Sequence, residues 1–224
     1  MTSSLQLPAV HAVLERLHEA AAGDDDRESS LPRPAERTLP PSALERAEES
    51  ASIYMPISRE AGRLCYALVR AIRPATIVEF GTSFGISTLY LAAAVSDNAS
   101  GHILTTELSA DKVRAARENL RAAGLDAAVD VLEGDARVTL TESQGPIGLV
   151  LLDGWKDLYL PVLGLLEPRL VPGALVIADD SSFESVKPYL AYVRDPANGY
   201  ESVGFPVEDG MEISCRTAPG NRPL

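Results

Sequence analysis

The stretch TIVEFGTSFGISTLYLAAAV, residues 76–95, decides the fold. TIVEF is a short, mostly apolar run of strand type. The turn GTSFG follows, bounded by Gly81 and Gly85, and ISTLYLAAAV then reads as a helix. A strand that passes into a helix through a glycine-bounded turn is half of a βαβ unit.

Working outward, the alternation repeats. Upstream, Ser58 caps a helix running to about Ile72, with Ala61, Leu64, Cys65, Leu68 and Ile72 on one face, and Pro74 stops it. Downstream, HILTTE (102–107), VDVLEG (129–134), IGLVLLD (147–153) and GALVIADD (173–180) read as strands. The fourth run is apolar on both faces, as a central parallel strand requires. Helices are expected from Ser109 to Gly124, briefly after residue 134, over about 157–170 and over about 183–194. ESVGFPV and MEISCRT flank EDG, a hairpin signal. Five βα units followed by a hairpin predict an α/β fold, a doubly wound parallel sheet covered on both faces.

Residues 1–57 read differently, as a helical arm before a main domain over 58–224. A helical pattern spans about 9–22, GDDDRESSLPRPAERTLPPS reads as an acidic, Pro-rich linker, and SALERAEESASIY is helical again. Two readings of the arm stand: surface cover without chemistry, or a lid or dimer arm, the latter giving a homodimer.

The chain has 224 residues, 46% hydrophobic and 23% charged, as an ordinary globular enzyme would. It has no apolar run long enough to span a bilayer, and the N-terminal segment lacks the pattern of a signal peptide. Cys65 and Cys215 read as free thiols in a reducing, cytoplasmic compartment. A net charge of −12 argues against nucleic acid and anionic membranes as partners, and suits a small substrate or a cation.

In a doubly wound sheet the ligand lies beyond the C-terminal ends of the strands. Those ends carry acids: Glu79 before Gly81, Glu107, Asp135, Asp153, and Asp179 with Asp180. The first turn is G-x-x-x-G, not the G-x-G-x-x-G of dinucleotide binding, and taken alone it could be a plain tight loop. Gly81 would let a ligand approach the backbone. Glu79 would repel a pyrophosphate but suits an ammonium group. Glu107 is placed for ribose hydroxyls and Asp135 for an adenine amine. Together these describe S-adenosylmethionine. Asp153, Asp179 and Asp180 form an all-oxygen set that selects Mg2+, Mn2+ or Ca2+ over zinc. Lys156, beside them, is a candidate base, its pKa expected to be pushed down by burial and a neighbouring dication, or else an ordinary paired lysine. Trp155 is either a substrate wall or core packing.

Over about residues 53–216 the chain resembles the class I S-adenosylmethionine-dependent methyltransferases. The resemblance implies a seven-stranded Rossmann-like sheet whose last strand is antiparallel. It implies that Glu79 meets the methionine ammonium, Glu107 the ribose, and Gly134-Asp135-Ala136 the adenine. The chain is most similar to the cation-dependent catechol and caffeoyl-coenzyme A O-methyltransferases. Their Asp-x-Trp-Lys-Asp-x-Tyr-Leu-Pro is matched by Asp153, Trp155, Lys156, Asp157, Tyr159, Leu160 and Pro161. Their Ala-Asp-Asn is matched by Ala178, Asp179 and Asp180, with aspartate in place of asparagine. The resemblance also implies that Met55, Ser87 and Asp153 contact the cofactor, and that Glu201 grips the acceptor, a small molecule bearing a hydroxyl. An NAD-dependent oxidoreductase or a non-catalytic or metal-independent protein of the same fold are the alternatives.

Overall fold

The computed structural model describes residues 3–31, 41–142 and 145–217. The Pro-rich part of the expected linker, residues 32–40, lies outside the described residues.

Each expected strand is present: β1 (Thr76–Phe80), β2 (His102–Glu107), β3 (Val129–Glu133), β4 (Ile147–Leu152), β5 (Leu170–Ala178), and the hairpin strands β6 (Tyr200–Phe205) and β7 (Met211–Arg216). They form one seven-stranded sheet in the order β3-β2-β1-β4-β5-β7-β6. The first five are parallel; β7 pairs antiparallel with both β5 and β6. The chain order reverses between β1 and β4, and there the two strands are in register from Ile77 opposite Leu149 to Phe80 opposite Leu152. All six residues of β4 are buried, which explains why its sequence shows no polar alternation.

Helices pack on both faces. The arm supplies α1 (Pro8–Ala21), α2 (Asp24–Ser29) and α3 (Ala43–Glu49); the remainder are α4 (Arg59–Ile72), α5 (Ile86–Asn98), α6 (Ala110–Ala123), α7 (Ala136–Thr139), α8 (Tyr159–Leu166) and α9 (Lys187–Val193). On one face a core joins α1, α4, α5 and α6 through Val10, Leu17, Val69, Leu89 and Leu120. On the other, Leu140, Tyr159, Leu163, Tyr189 and Val193 pack under β4 and β5.

The caps are as the sequence implies: the Ser58 hydroxyl accepts from the Ala61 N–H, and Gly124 closes α6 at φ +69°. The arm differs in detail. Part of the expected linker is helical, as α2, and the second helical stretch stops at Glu49 after a capping box of Ser42 and Glu45. Over the helix expected at 157–170 only Tyr159–Leu166 is α-helical, flanked by 3-10 turns at Lys156–Leu158 and Glu167–Arg169. The arm adds no strand, but α1 is no loose appendage: Val10, Val13, Leu14 and Leu17 are buried in the main core. No helix among the described residues is long and apolar enough to cross a membrane.

Candidate active site

Beyond the C-terminal ends of β1, β2, β4 and β5 lies a cleft of about 400 Å³, within the range of small-ligand sites, about 300–1,000 Å³. Hydrogen bonds just past each strand deliver its residues. The Asp153 N–H donates to the Phe80 carbonyl at 2.8 Å, and the Asp179 N–H to the Leu152 carbonyl at 3.0 Å. Gly81, at φ +104°, admits no side chain, because a Cβ there would meet the Asp153 carbonyl oxygen at 2.4 Å. That close approach sets Asp153 against the first turn.

Glu107 is held before any ligand arrives. Its Oε2 accepts from the Ser83 N–H at 2.9 Å and its Oε1 from the Ser109 N–H at 2.8 Å. It lines both the main cleft and a side pocket bounded by Gly134, Asp135, Ala136, Leu108 and Leu158. Asp135 caps α7 and is engaged by Arg137, so part of its accepting capacity is already used; that pair holds the carboxyl below its usual range. Met55, Gly81 and Ser87 also line the main cleft.

Glu79, expected from the sequence to meet an ammonium group, stands near the end of β1, one residue before Phe80. It is fully buried behind the first turn and is not a wall of the cleft. Its Oε2 accepts from Thr88 Oγ1 and Thr105 Oγ1 at 2.5 Å each, while Oε1 has no partner among the described residues. Burial pushes its pKa up against those hydroxyl donors. An unpaired buried carboxylate oxygen is costly unless a donor meets it, so the atom suits a cationic group.

Asp153, Asp179 and Asp180 each offer an oxygen within 4.8 Å of the others. Burial, reinforced by the neighbouring carboxylates, pushes Asp153 up to about 7 and Asp179 up to about 8. An oxygen-only set under this mutual repulsion fits a hard divalent cation. Lys156 Nζ lies 2.8 Å from Asp180 Oδ2 and 3.4 Å from Asp153 Oδ1. Of the two causes expected to lower its pKa, burial and a dication, burial alone does not prevail over the carboxylates. Burial does act downward, but Asp153, Asp180 and Asp179 outweigh it and hold the ammonium above its usual range.

Trp155 lines the cleft and carries Arg46 4.6 Å from its ring centroid. Arg46 in turn pairs with Asp157 through both carboxylate oxygens, at 2.9 and 3.1 Å. The arm is thereby fixed to the loop after β4, a link between residues 111 apart in sequence that no local pattern announces. Glu201 does not join the site: it is exposed on β6, paired in register with Cys215. The hairpin acids that do line the cleft are Glu208 and Asp209, in the turn the EDG signal marked. Lys112 was not singled out by sequence either. It is almost fully buried in the cleft wall, 5.7 Å from the Phe84 ring centroid, and burial lowers its pKa.

Comparison with known proteins gives a consistent picture. Residues 78–181 match the family model of a methyltransferase domain. Mouse catechol O-methyltransferase is 28% identical over 184 residues, covering 76% of this chain and 68% of that protein. Zebrafish catechol O-methyltransferase B is 31% identical over 174 residues, covering 71% and 65%. Among solved structures, the O-methyltransferase TomG of Streptomyces achromogenes, in complex with S-adenosylmethionine, superposes with a TM-score of 0.65 at 20% identity, covering 90% of this chain and 99% of that one.

Proposed function

Because the chain belongs to the class I S-adenosylmethionine-dependent O-methyltransferases, we propose that it methylates a hydroxyl of a small catechol-like or other phenolic acceptor, aided by a divalent cation and with Lys156 as base. The observation that carries this reading is the convergence of Glu107, Asp153, Lys156, Asp179 and Asp180 on one cleft.

When bound, S-adenosylmethionine would supply an electrophilic methyl on a sulfonium, and Asp153, Asp179 and Asp180 would hold a cation whose positive charge would lower the acceptor hydroxyl's pKa. Glu107, fixed by two backbone N–H groups, would hold the ribose with its remaining lone pairs. Asp135 and Ala136, in the side pocket, would bound the adenine, while Met55, Gly81 and Ser87, in the main cleft, would enclose the methionine portion. Lys156 Nζ, neutral once a cation offsets the pull of the three aspartates, would take the acceptor proton. The chemistry this arrangement would serve is methyl transfer, in which the acceptor oxygen bonds the methyl carbon as the carbon–sulfur bond breaks, leaving a methyl ether and S-adenosylhomocysteine. Trp155 walls the acceptor and excludes water.

Among the described residues lining the cleft, Lys112 and Lys156 are the only cations, and Glu208 and Asp209 add negative charge. This favours a neutral or cationic acceptor over a polyanionic thioester of coenzyme A. A cytoplasmic homodimer completes the reading, supported by the free cysteines and by Val203 and Phe205 exposed on the edge strand β6.

The test is turnover of a phenol panel with S-adenosylmethionine and Mg2+, with the methyl ether identified by mass. Cofactor binding without methyl transfer to any hydroxyl acceptor would favour a non-catalytic protein of this fold.

A further inference from the structure

Three aspartates follow one another at the start of α2, and they part company in the fold: Asp25 and Asp26 are exposed, whereas Asp24 is nine-tenths buried. Its Oδ2 accepts from the backbone N–H groups of Tyr54 and Met55, at 2.9 and 2.8 Å. Its Oδ1 accepts from Arg27 Nη1 at 2.7 Å, and the same nitrogen donates to the Ala20 carbonyl. One carboxylate of the arm therefore gathers two consecutive amides of a segment 30 residues away.

That segment is a wall of the cleft: Tyr54, Met55, Pro56 and Ile57 all line it. Met55 stands at φ +45°, a left-handed conformation a side-chain-bearing residue holds only when its surroundings enforce it. The hydrogen bond to Asp24 falls on the amide of this strained residue. The wall is also tied to the first turn. The Tyr54 carbonyl accepts from Ser83 Oγ at 2.7 Å, and the Tyr54 ring stacks on Phe84 with centroids 3.9 Å apart. Ser83 is the residue whose N–H positions Glu107. Arg27, the partner of Asp24, also lies 5.5 Å from the Tyr54 ring centroid.

We propose that Asp24 is a positioning residue for methyl transfer. By fixing the amides of Tyr54 and Met55 it sets the cofactor wall, and through Tyr54 and Ser83 it bears on Glu107. The inference rests on the cofactor placement proposed above. It makes Asp24 part of the binding machinery without giving it any contact with the reacting atoms.

The experiment compares Asp24→Ala, Asp24→Asn and Asp25→Ala in the full chain, by titration calorimetry with S-adenosylhomocysteine and by steady-state kinetics. Asp24→Ala should raise Kd, and KM for S-adenosylmethionine, about tenfold, the scale of lost hydrogen bonds to a charged group. Its kcat at saturating cofactor should change much less. Asp24→Asn keeps an acceptor but not the charge, so about a threefold rise is expected, since charge-assisted bonds are roughly twice as strong as neutral ones. Asp25→Ala, an exposed neighbour, should bind as the wild type does. A purely structural role would lower Tm without this graded change in KM. Should Asp24→Ala not fold, Asp24→Asn decides: a wild-type Kd and KM there overturn the proposal. Glu107→Ala separates the two readings. If it too leaves Kd unchanged, the cofactor placement itself is wrong; if it weakens binding while the Asp24 variants do not, only the role of Asp24 is refuted.

Discussion

Lys156 is tied to Asp180, its Nζ 2.8 Å from Oδ2. Asp180 is also the position at which this chain carries an aspartate where the resembling family has asparagine. The additional negative charge thus sits against the lysine proposed as base. With Asp153 and Asp179 it keeps the ammonium protonated, despite a burial that favours the neutral amine. Loading the three acids with a dication neutralises that pull, which couples the state of the base to the cation.

Lys156→Ala should lower kcat by about 10²–10⁴-fold, the usual loss of a general base, while cofactor affinity stays near wild type. Lys156→Arg should not rescue, since a guanidinium does not deprotonate in this range. A phenol already ionised at the assay pH should lose much less rate than one that is not. Equal losses for both acceptors, measured side by side, would make Lys156 a substrate anchor instead.

Asp180→Asn should move the pH profile of kcat. A base must be neutral, so rate rises as pH passes through the lysine's pKa. Removing one adjacent carboxylate lowers that pKa, and the rising limb should shift to lower pH. Asparagine tolerates the left-handed backbone found here, φ +53°, so the loop should survive the change. A profile superimposable on the wild type would show that Lys156 is not the group that titrates.

The acids predict how the cation affects stability. Asp153 and Asp179 are raised to about 7 and about 8 from the ordinary 3.8. Between those values the folded state binds protons that the unfolded state releases, so their contribution to stability falls as pH rises. In chelator, these groups should cost the protein Tm progressively between about pH 4 and pH 8. Bound Mg2+ counters the repulsion of the ionised acids, so its increment in Tm should be larger at the higher pH. Thermal melts across pH, with and without Mg2+, read this directly; an increment independent of pH would mean that these carboxylates do not hold the ion.

The strands and their acidic ends could be read from the sequence because each is a local signal, an apolar run closed by a carboxylate at a place the topology makes special. What could not be read depends on distant partners. Nothing in GDDD says which aspartate turns inward, since that is settled by the amides of Tyr54 and Met55. Nothing near Arg46 reveals Asp157 or Trp155. Glu201 went to an exposed edge strand, and Glu208 and Asp209 reached the cleft, because the register of β6 on β7 fixes which hairpin acids come near it. Lys156 shows the limit for energetics: burial and three acids act in opposite directions, and only distances decide which prevails.

The arm gives the last prediction, and it departs from what its acidic, Pro-rich break suggests. A detachable lid would leave a folded core when removed. Yet Leu17 is 1% exposed and Val10 0%, and both belong to the cluster that contains Leu89 of α5 and Leu120 of α6. Arg59 of α4 pairs with Glu15 of α1 at 2.5 and 3.0 Å, adding a polar tie at the margin of the same contact. That pair is substantially exposed, so the apolar contact carries most of the attachment. Leu17→Ala should therefore cost about 2–5 kcal/mol, the range for truncating a buried leucine. Deleting residues 1–22 should uncover the helical face of α5 and α6, with low Tm and aggregation as the result. Arg59→Ala should cost far less than Leu17→Ala. Denaturant unfolding of the two point variants checks the ordering; if Leu17→Ala is as stable as the wild type, α1 is the removable cover that the sequence alone allows.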